Sequence, residues 1–315
     1  MKSKHSVFKP VDLTKLKTYP IRKRRNLVNI KQFARLSNPT TGFAKFLEGL
    51  PGILAGGDFK QLVSAIVQAY KGKHMVGAAI GAHVIKCGLS PVIIDLMKRG
   101  IIKAIALNGA GAIHDYEISL IGATSEDVSD AIKNGKFGMA EETADFFARA
   151  AKYAVKNCIG LGDACGELIL SDKNPYSDYS IIAQAARLKI PLTIHIAIGT
   201  DTIHMHPNID GGELGEATLA DFRILTSVVC GLNKGVWLNI GSAVILPEVF
   251  LKAVSIARNL SHPLNNFTTA NLDMIQHYRG RVNVTGRPTS HGINLIGHHE
   301  IMLPLLRWGI LSRLK

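Results

Sequence analysis

Residues 101–127 read IIKAIALNGAGAIHDYEISLIGATSED, and this stretch decides the fold. Ile101 to Leu107 is a short apolar run of strand length. It stops at the small-residue turn Asn108-Gly109-Ala110-Gly111-Ala112, and His114, Asp115 and Glu117 follow on what reads as the start of a helix. A strand, a tight glycine turn and a helix N-terminus let backbone N–H groups approach an anion or a polar ligand closely. Three titratable side chains beside such a turn point to a functional loop. The alternative is a helix start capped by Asn108 or Asp115, with His114 in solvent. The glycine spacing is not G-x-G-x-x-G, so the turn alone does not specify a dinucleotide.

Upstream, Met75–Ile80 is a strand candidate that runs into Gly81-Ala82-His83. Gly88-Leu89-Ser90-Pro91 then opens a helix to Arg99, with Ser90 as N-cap and Pro91 in the first turn. With the strand at 101–107 this makes a β-α-β unit, hence a parallel pair with a right-handed crossover. Before it, Phe43–Leu54 carries helical spacing up to Gly56-Gly57, and Asp58 reads as the cap of a second helix through Tyr70. Downstream, helices are expected from Ser125-Glu126-Asp127, over Glu141–Val155, from Gly160-Leu161-Gly162, and over Tyr179–Leu188, Glu216–Val229 and Pro247–Leu260. Further strands are expected at Ile190–Ile198 and Gly235–Gly241, with a last one at Phe267–Asn271. Polar and glycine-rich clusters follow Ile80, Leu107, Ile198 and Ile240, where an open parallel sheet has its ligand crevice. The expectation is one α/β domain over residues 41–315, an open parallel sheet flanked by helices, behind a basic segment, 1–40.

Eleven Lys and Arg fall in residues 1–35 against the single acid Asp12, so of the formal charge of +13 only about +3 belongs to the body. Ile21-Arg22-Lys23-Arg24-Arg25 has no interleaved aromatics, and nucleic acid is not the expected partner. No apolar run reaches the roughly 18–20 residues that span a bilayer. The basic start MKSKHSVFKP lacks a following apolar core, so neither a membrane nor a secretory route is expected. Cys87, Cys158, Cys165 and Cys230 form no CxxC pair, which fits reduced thiols in a cytoplasm.

Two further clusters could carry chemistry. His195, Asp201, His204 and His206 surround the end of one strand, and His204-Met205-His206 places two imidazoles on one side of an extended segment. This cluster reads three ways: a core histidine with two loop histidines, acid/base or substrate-orienting work, or metal binding. His277, Tyr278, Arg279, Arg281, Arg287, His291, His298, His299 and Glu300 form an Arg- and His-dense set, suited to an anionic or carboxylate-bearing ligand or else a solvated basic loop. Ser242 is not a hydrolase nucleophile, because Ile240-Gly241-Ser242-Ala243 lacks the G-x-S-x-G elbow. Trp237 and Trp308 read as core or interface aromatics.

Taken in order, these motifs resemble the deoxyhypusine synthase family over roughly residues 40–306. Gly81-Ala82-His83 and Gly88-Leu89 stand where that family has its first cofactor-facing turn and Ser-Gly-Leu helix start. Asn108–Ala112 resembles its Thr-Thr-Ala-Gly-Gly turn, and Asp115 falls on a glutamate that faces the polyamine. Thr200-Asp201, Gly241-Ser242-Ala243, Thr268-Thr269-Ala270-Asn271 and Ile301–Leu306 are similar to the family's Thr-Asp, Gly-Gly-Gly, Asn-Thr-Ala-Gln and Leu-Val-Phe-Pro-Leu-Leu stretches. The resemblance implies a Rossmann-like fold, NAD as cofactor, a small-molecule amine or polyamine substrate, and a homo-oligomer (a tetramer in the family). It places Ala82, His83, Asn108, Gly109, Gly111, Thr200, Asp201, Gly241, Ser242, Thr269 and Asn271 at the cofactor, and His114 and Asp115 at the substrate. A general base is expected among His195, His204 and His277, since imidazole titrates near neutrality. The family's imine-forming lysine is absent. Val284-Thr285-Gly286-Arg287 stands in its place, and arginine stays protonated. The expectation is thus a related NAD-dependent enzyme that is not a working deoxyhypusine synthase. The competing readings are a metal-dependent hydrolase or lyase at His204, His206 and Asp201, and a non-catalytic NAD-binding scaffold.

Overall fold

The computed structural model describes residues 42–314 without interruption and scattered residues between 13 and 40. The basic segment expected over 1–40 therefore lies largely outside the described residues. Helices α1 (Phe43–Gly49) and α2 (Leu54–Lys71) precede strand β1 (Val76–Ile80), and α3 (Ala82–Lys86) and α4 (Ser90–Lys98) lead to β2 (Ala104–Asn108). Then come α5 (Gly109–Ile121), α6 (Val128–Ala131), α7 (Glu141–Asn157), α8 (Leu161–Ser171), α9 (Ile181–Leu188) and β3 (Leu192–His195). Helix α10 (Gly211–Cys230) returns the chain to β4 (Val236–Ile240), and α11 (Ile245–Asn259) leads to β5 (Thr268–Asp273). A π-helical turn at Gly280–Val284, β6 (Gly292–Ile296) and α12 (His299–Arg313) follow.

The six strands form one all-parallel sheet in the order β3-β2-β1-β4-β5-β6. The chain steps outward from β1 to β3, crosses back to β4, and steps outward again. The order thus reverses between β1 and β4, and the carboxyl ends of these two strands flank the crevice. Alternation along the strands divides the core. Ala78, Ile80, Leu238 and Ile240 join Ile66, Ile93, Ile182 and Leu306 on one face. Ala79, Ala106 and Trp237 join Val229 and Phe250 on the other. The Trp237 ring stacks on Phe250 at 4.9 Å and 2°. It also fills the space beside Gly77, where a Cβ would lie 2.5 Å from the indole.

The structure departs from the expected elements in several places, among them Ser90, which is the first residue of α4 with Leu89 at the N-cap, and β3, which stops at His195. The first helix ends at Gly49, because Pro51 has no N–H to continue it, and Gly56-Gly57 lie inside α2. Their missing side chains let α2 start against Pro51: a Cβ on Gly56 would sit 2.6 Å from the Pro51 carbonyl oxygen. The helix expected from Ser125 is a single α-turn, α6, capped by Asp127. The glycine turn after β2 is itself the first turn of α5, with the Asn108 side chain accepting from Gly111 N–H at 3.1 Å. Finally, β5 is followed by another strand, β6, whose Ile293 and Leu295 point into the core.

Candidate active site

Three helix N-termini meet near β2 and β3, and each receives a buried aspartate. Asp115, on α5, accepts from Ser180 Oγ at 2.5 Å and from the N–H groups of Ile181 (2.8 Å) and Ile182 (3.0 Å) at the start of α9. It is 0% exposed, and burial pushes its pKa up to about 6 against the pull of those hydrogen bonds. Asp221, on α10, accepts from Gly162 N–H at 2.9 Å and Ile194 N–H at 2.7 Å, so it caps α8 and ties it to β3; burial raises its pKa well above the ordinary value. Asp201 lies on the first turn of α5, where a Cβ at Gly109 would collide with its carboxylate. The anion expected at the Asn108–Gly111 turn is therefore one of the protein's own side chains. A phosphate there would meet that carboxylate, so the cofactor expectation for Asn108, Gly109 and Gly111 does not fit this turn. Asp115, expected to face a substrate, is consumed as a helix cap.

Beside this turn opens a cleft of about 700 Å³ between α3, α5, the 123–143 segment and Thr200–Thr202. His114 and Glu117 face it from α5, one helical turn apart. His114 Nδ1 lies 2.6 Å from Thr124 Oγ1, and the Thr124 hydroxyl donates to Glu117 Oε2. Thr143 Oγ1 donates to the other carboxylate oxygen at 3.4 Å. Burial opposes the Glu117 charge, but the nearby His114 ring, 3.6 Å away, and the hydrogen bonds from Thr124 and Thr143 prevail and hold its pKa below the usual value. A hydroxyl has one proton to give, and Thr124 gives it to Glu117. The His114 bond must then run from Nδ1–H to Thr124, which leaves Nε2 as the basic nitrogen. Asp201 lines the same cleft, 7% exposed, with Oδ2 lacking a hydrogen-bond partner among the described residues and its pKa pushed by burial to about 6.

The other expected bases are differently placed. His195 is 4% exposed at the end of β3, with Nε2 2.9 Å from Thr193 Oγ1, and burial drives its pKa down to about 3. It is a neutral core group, not a base for neutral pH. His204 Nδ1 accepts from the N–H groups of Gly199 (3.1 Å) and Asp201 (3.2 Å), while its buried Nε2 has no partner among the described residues. His206 Nε2 is engaged by the Gly138 carbonyl at 2.8 Å. His204 is thus committed to its own turn and His206 to the distant Gly138 carbonyl. Among the described residues no group of three or more His, Cys, Asp or Glu side chains is arranged for a metal. His277 and Arg287 are exposed on the β5–β6 connection, outside the cleft, and Arg287 Nη1 donates to Asn283 Oδ1 at 2.8 Å.

At the reversal point, Gly81 and Gly241 end β1 and β4 in near contact, for a Cβ at Gly81 would strike the Gly241 carbonyl. Gly241 has φ +65° and faces His299, whose Nε2 would be 2.8 Å from a Cβ there. Around it are buried Ser242, Asn239 and Asn271, with Asn239 Nδ2 donating to Ser242 O at 2.9 Å and to Asn271 Oδ1 at 2.7 Å. Asn239 Oδ1 and His299 Nδ1 are buried without hydrogen-bond partners among the described residues. Bare backbone next to unpaired polar atoms fits a polar cofactor segment here. Ala82 and the exposed His83 flank the same crevice, His83 with its ring 6.0 Å from that of His299. Thr269 does not reach it. This residue is fully buried near the other end of β5, level with Trp237, because the strand continues to Asp273. Sequence reasoning passed over Asn239, Thr124 and Thr143, whose roles depend on contacts across the fold.

No family model and no curated protein matches the sequence. Solved structures do. A conserved LOR/SDH protein from Methanococcus maripaludis S2 superposes with a TM-score of 0.52 at 16% identity, over 83% of this chain and 71% of that one. AgrE in its ternary complex with ornithine and NAD+ gives 0.54 at 13% identity, over 89% of this chain, which spans about a third (34%) of AgrE. An Entamoeba histolytica protein described as a deoxyhypusine synthase matches with a TM-score of 0.48 at 11% identity, over 83% of this chain and 90% of that one. The chain has the fold of the LOR/SDH and AgrE structures.

Proposed function

We propose that the chain is an NAD-dependent enzyme that oxidises an amine or polyamine-like small molecule, the first half of a transfer, elimination or re-reduction. The observation that carries this reading is the pairing of the Gly81/Gly241 crevice with a cleft that presents a Glu117–Thr124–His114 relay. The AgrE structure, solved with ornithine and NAD+, supports the same combination on this fold. Gly81, Ala82, Gly241, Ser242, Asn239, Asn271 and His299 would hold the cofactor, which supplies a hydride acceptor when bound. His114 Nε2 takes the proton from the substrate nitrogen while its Nδ1–H stays anchored through Thr124 to Glu117. Glu117, Glu126, Glu142 and Asp201 line the cleft against Lys86, an acidic balance that attracts a cationic amine. Arg287 cannot form an imine, so a product would leave without a covalent link to that position.

The test is amine-dependent reduction of NAD, followed by nicotinamide absorbance across a panel of diamines and amino acids. The reading expects turnover with at least one amine and its loss in His114→Gln. Turnover that survives His114→Gln, or NAD reduction by none of the amines, overturns it.

A further inference from the structure

The opposite, N-terminal edge of the sheet carries a surface that the proposed reaction does not use. A groove of about 560 Å³ there is lined by Tyr70, Arg99, Ile101, Arg307, Trp308, Leu311 and Leu314. Trp308 is 54% exposed on α12, with its ring 5.9 Å from Phe43. Asp95 Oδ2 accepts from Nε of both Arg99 and Arg307 at 2.8 Å each. One carboxylate thus serves two guanidiniums, and the terminal N–H groups of both have no hydrogen-bond partner among the described residues.

Lysines crowd the same edge. Lys71 and Lys73 end α2 beside Tyr70, and Lys98 and Lys103 bracket Arg99 and Ile101. Lys103 Nζ is turned to the His74 carbonyl at 2.8 Å, and its pKa is lowered by burial and then by the charge of Lys73. Lys71 and Lys98 complement the C-terminal ends of their helix dipoles, which accounts for two of these charges. Arg99 ends α4 and pairs with Asp95 one turn back, Arg307 shares that carboxylate, and Lys103 meets the His74 carbonyl, whereas Lys73 has no such local reason. A second copy of the chain joined through this face would set like charges against each other. A polyanion would not, and an exposed indole between guanidiniums offers it a stacking platform.

We propose that this edge binds single-stranded nucleic acid, with a base stacked on Trp308 and the adjoining phosphates on Arg99, Arg307, Lys71 and Lys73. Ile21-Arg22-Lys23-Arg24-Arg25, the densest basic segment near the N-terminus, has no aromatic residue among its charges. The fold supplies what that segment lacks, by bringing aromatics of α2 and α12 beside cations of α2 and α4. The surface lies across the sheet from the cleft, so occupancy of one leaves the other open.

Fluorescence provides the test. The chain has two tryptophans, and Trp237 is 1% exposed against Phe250, so quenching on titration reports Trp308. The probe is a mixed-sequence single-stranded DNA oligonucleotide, added to the full chain, with heparin as a polyanion that has no bases. The expected result is salt-dependent quenching by the oligonucleotide. Trp308→Ala, followed by labelled-oligonucleotide anisotropy, weakens affinity roughly tenfold, and Trp308→Phe recovers most of it. Lys71→Glu with Lys73→Glu lowers the slope of log affinity against log salt by about one for each phosphate that is no longer neutralised. The proposal is overturned by no binding at low salt, by equal binding of heparin and oligonucleotide with no effect of Trp308→Ala, or by loss of binding only when Lys23, Arg24 and Arg25 are reversed to Glu. A change of oligomeric state in Trp308→Ala without any oligonucleotide binding overturns it too.

Discussion

Asp201 and Gly109 are packed so closely that the glycine α-carbon has no room for a side chain beside the carboxylate. The acid thereby occupies the anion-attracting start of α5, and burial raises its pKa to about 6. An aspartate in the unfolded chain titrates near about 3.9, so between roughly pH 4 and 6 the folded state holds the proton more tightly. Stability contributed by this group is present at low pH and falls as pH rises through that window. Asp115, also raised to about 6, acts in the same direction. Urea unfolding across the window should therefore show Asp201→Asn with a shallower decline than the parent chain, by on the order of 2 kcal/mol. Parallel curves would place the Asp201 charge in a solvated setting.

Thr124 joins His114 to Glu117, and its hydroxyl sets the direction of both hydrogen bonds. Glu117→Gln and Thr124→Val are expected to lower kcat by about 10²-fold or more while leaving KM nearly unchanged, since the relay acts on proton transfer. A change confined to KM would make these residues a wall of the cleft and nothing further.

Gly77 lies under the Trp237 ring. Gly77→Ala should cost about 1–3 kcal/mol by overpacking, read from denaturant midpoints and loss of the near-UV signal of Trp237. An unchanged midpoint would mean that β1 and β4 can separate without cost.

Asp221 holds the N–H groups of Gly162 and Ile194 in the interior. Asp221→Ala leaves both unpaired, a loss of about 1–3 kcal/mol for each, whereas Asp221→Asn keeps an acceptor and should cost less. Equal unfolding midpoints for the two variants would contradict the capping role.

The glycine turn after Leu107 and the strand-length apolar runs made five of the six strands legible, since local pattern sets their period. Strand β6 is hidden because Gly292–Ile296 sits among histidines and polar residues, although the Ile293/Leu295 alternation is its signal. The pairing of His114 with Glu117 follows from helical spacing. Asp115 and Asp221 could not be read this way, because their partners lie 27 to 67 residues away in the chain and only the packed elements bring them together. For the same reason the anion site of α5 looked free in the sequence, when a residue about ninety positions later fills it.

The most direct test of the central claim is a calorimetric titration of the purified chain with NAD, run in parallel on Gly241→Ala. Gly241 has φ +65° and a side chain there would press on His299, so the variant should close the crevice while leaving the His114 cleft intact. The account predicts saturable one-site binding by the parent chain and at least tenfold weaker binding by Gly241→Ala. An absence of binding by the parent chain, or equal binding by both, would contradict it.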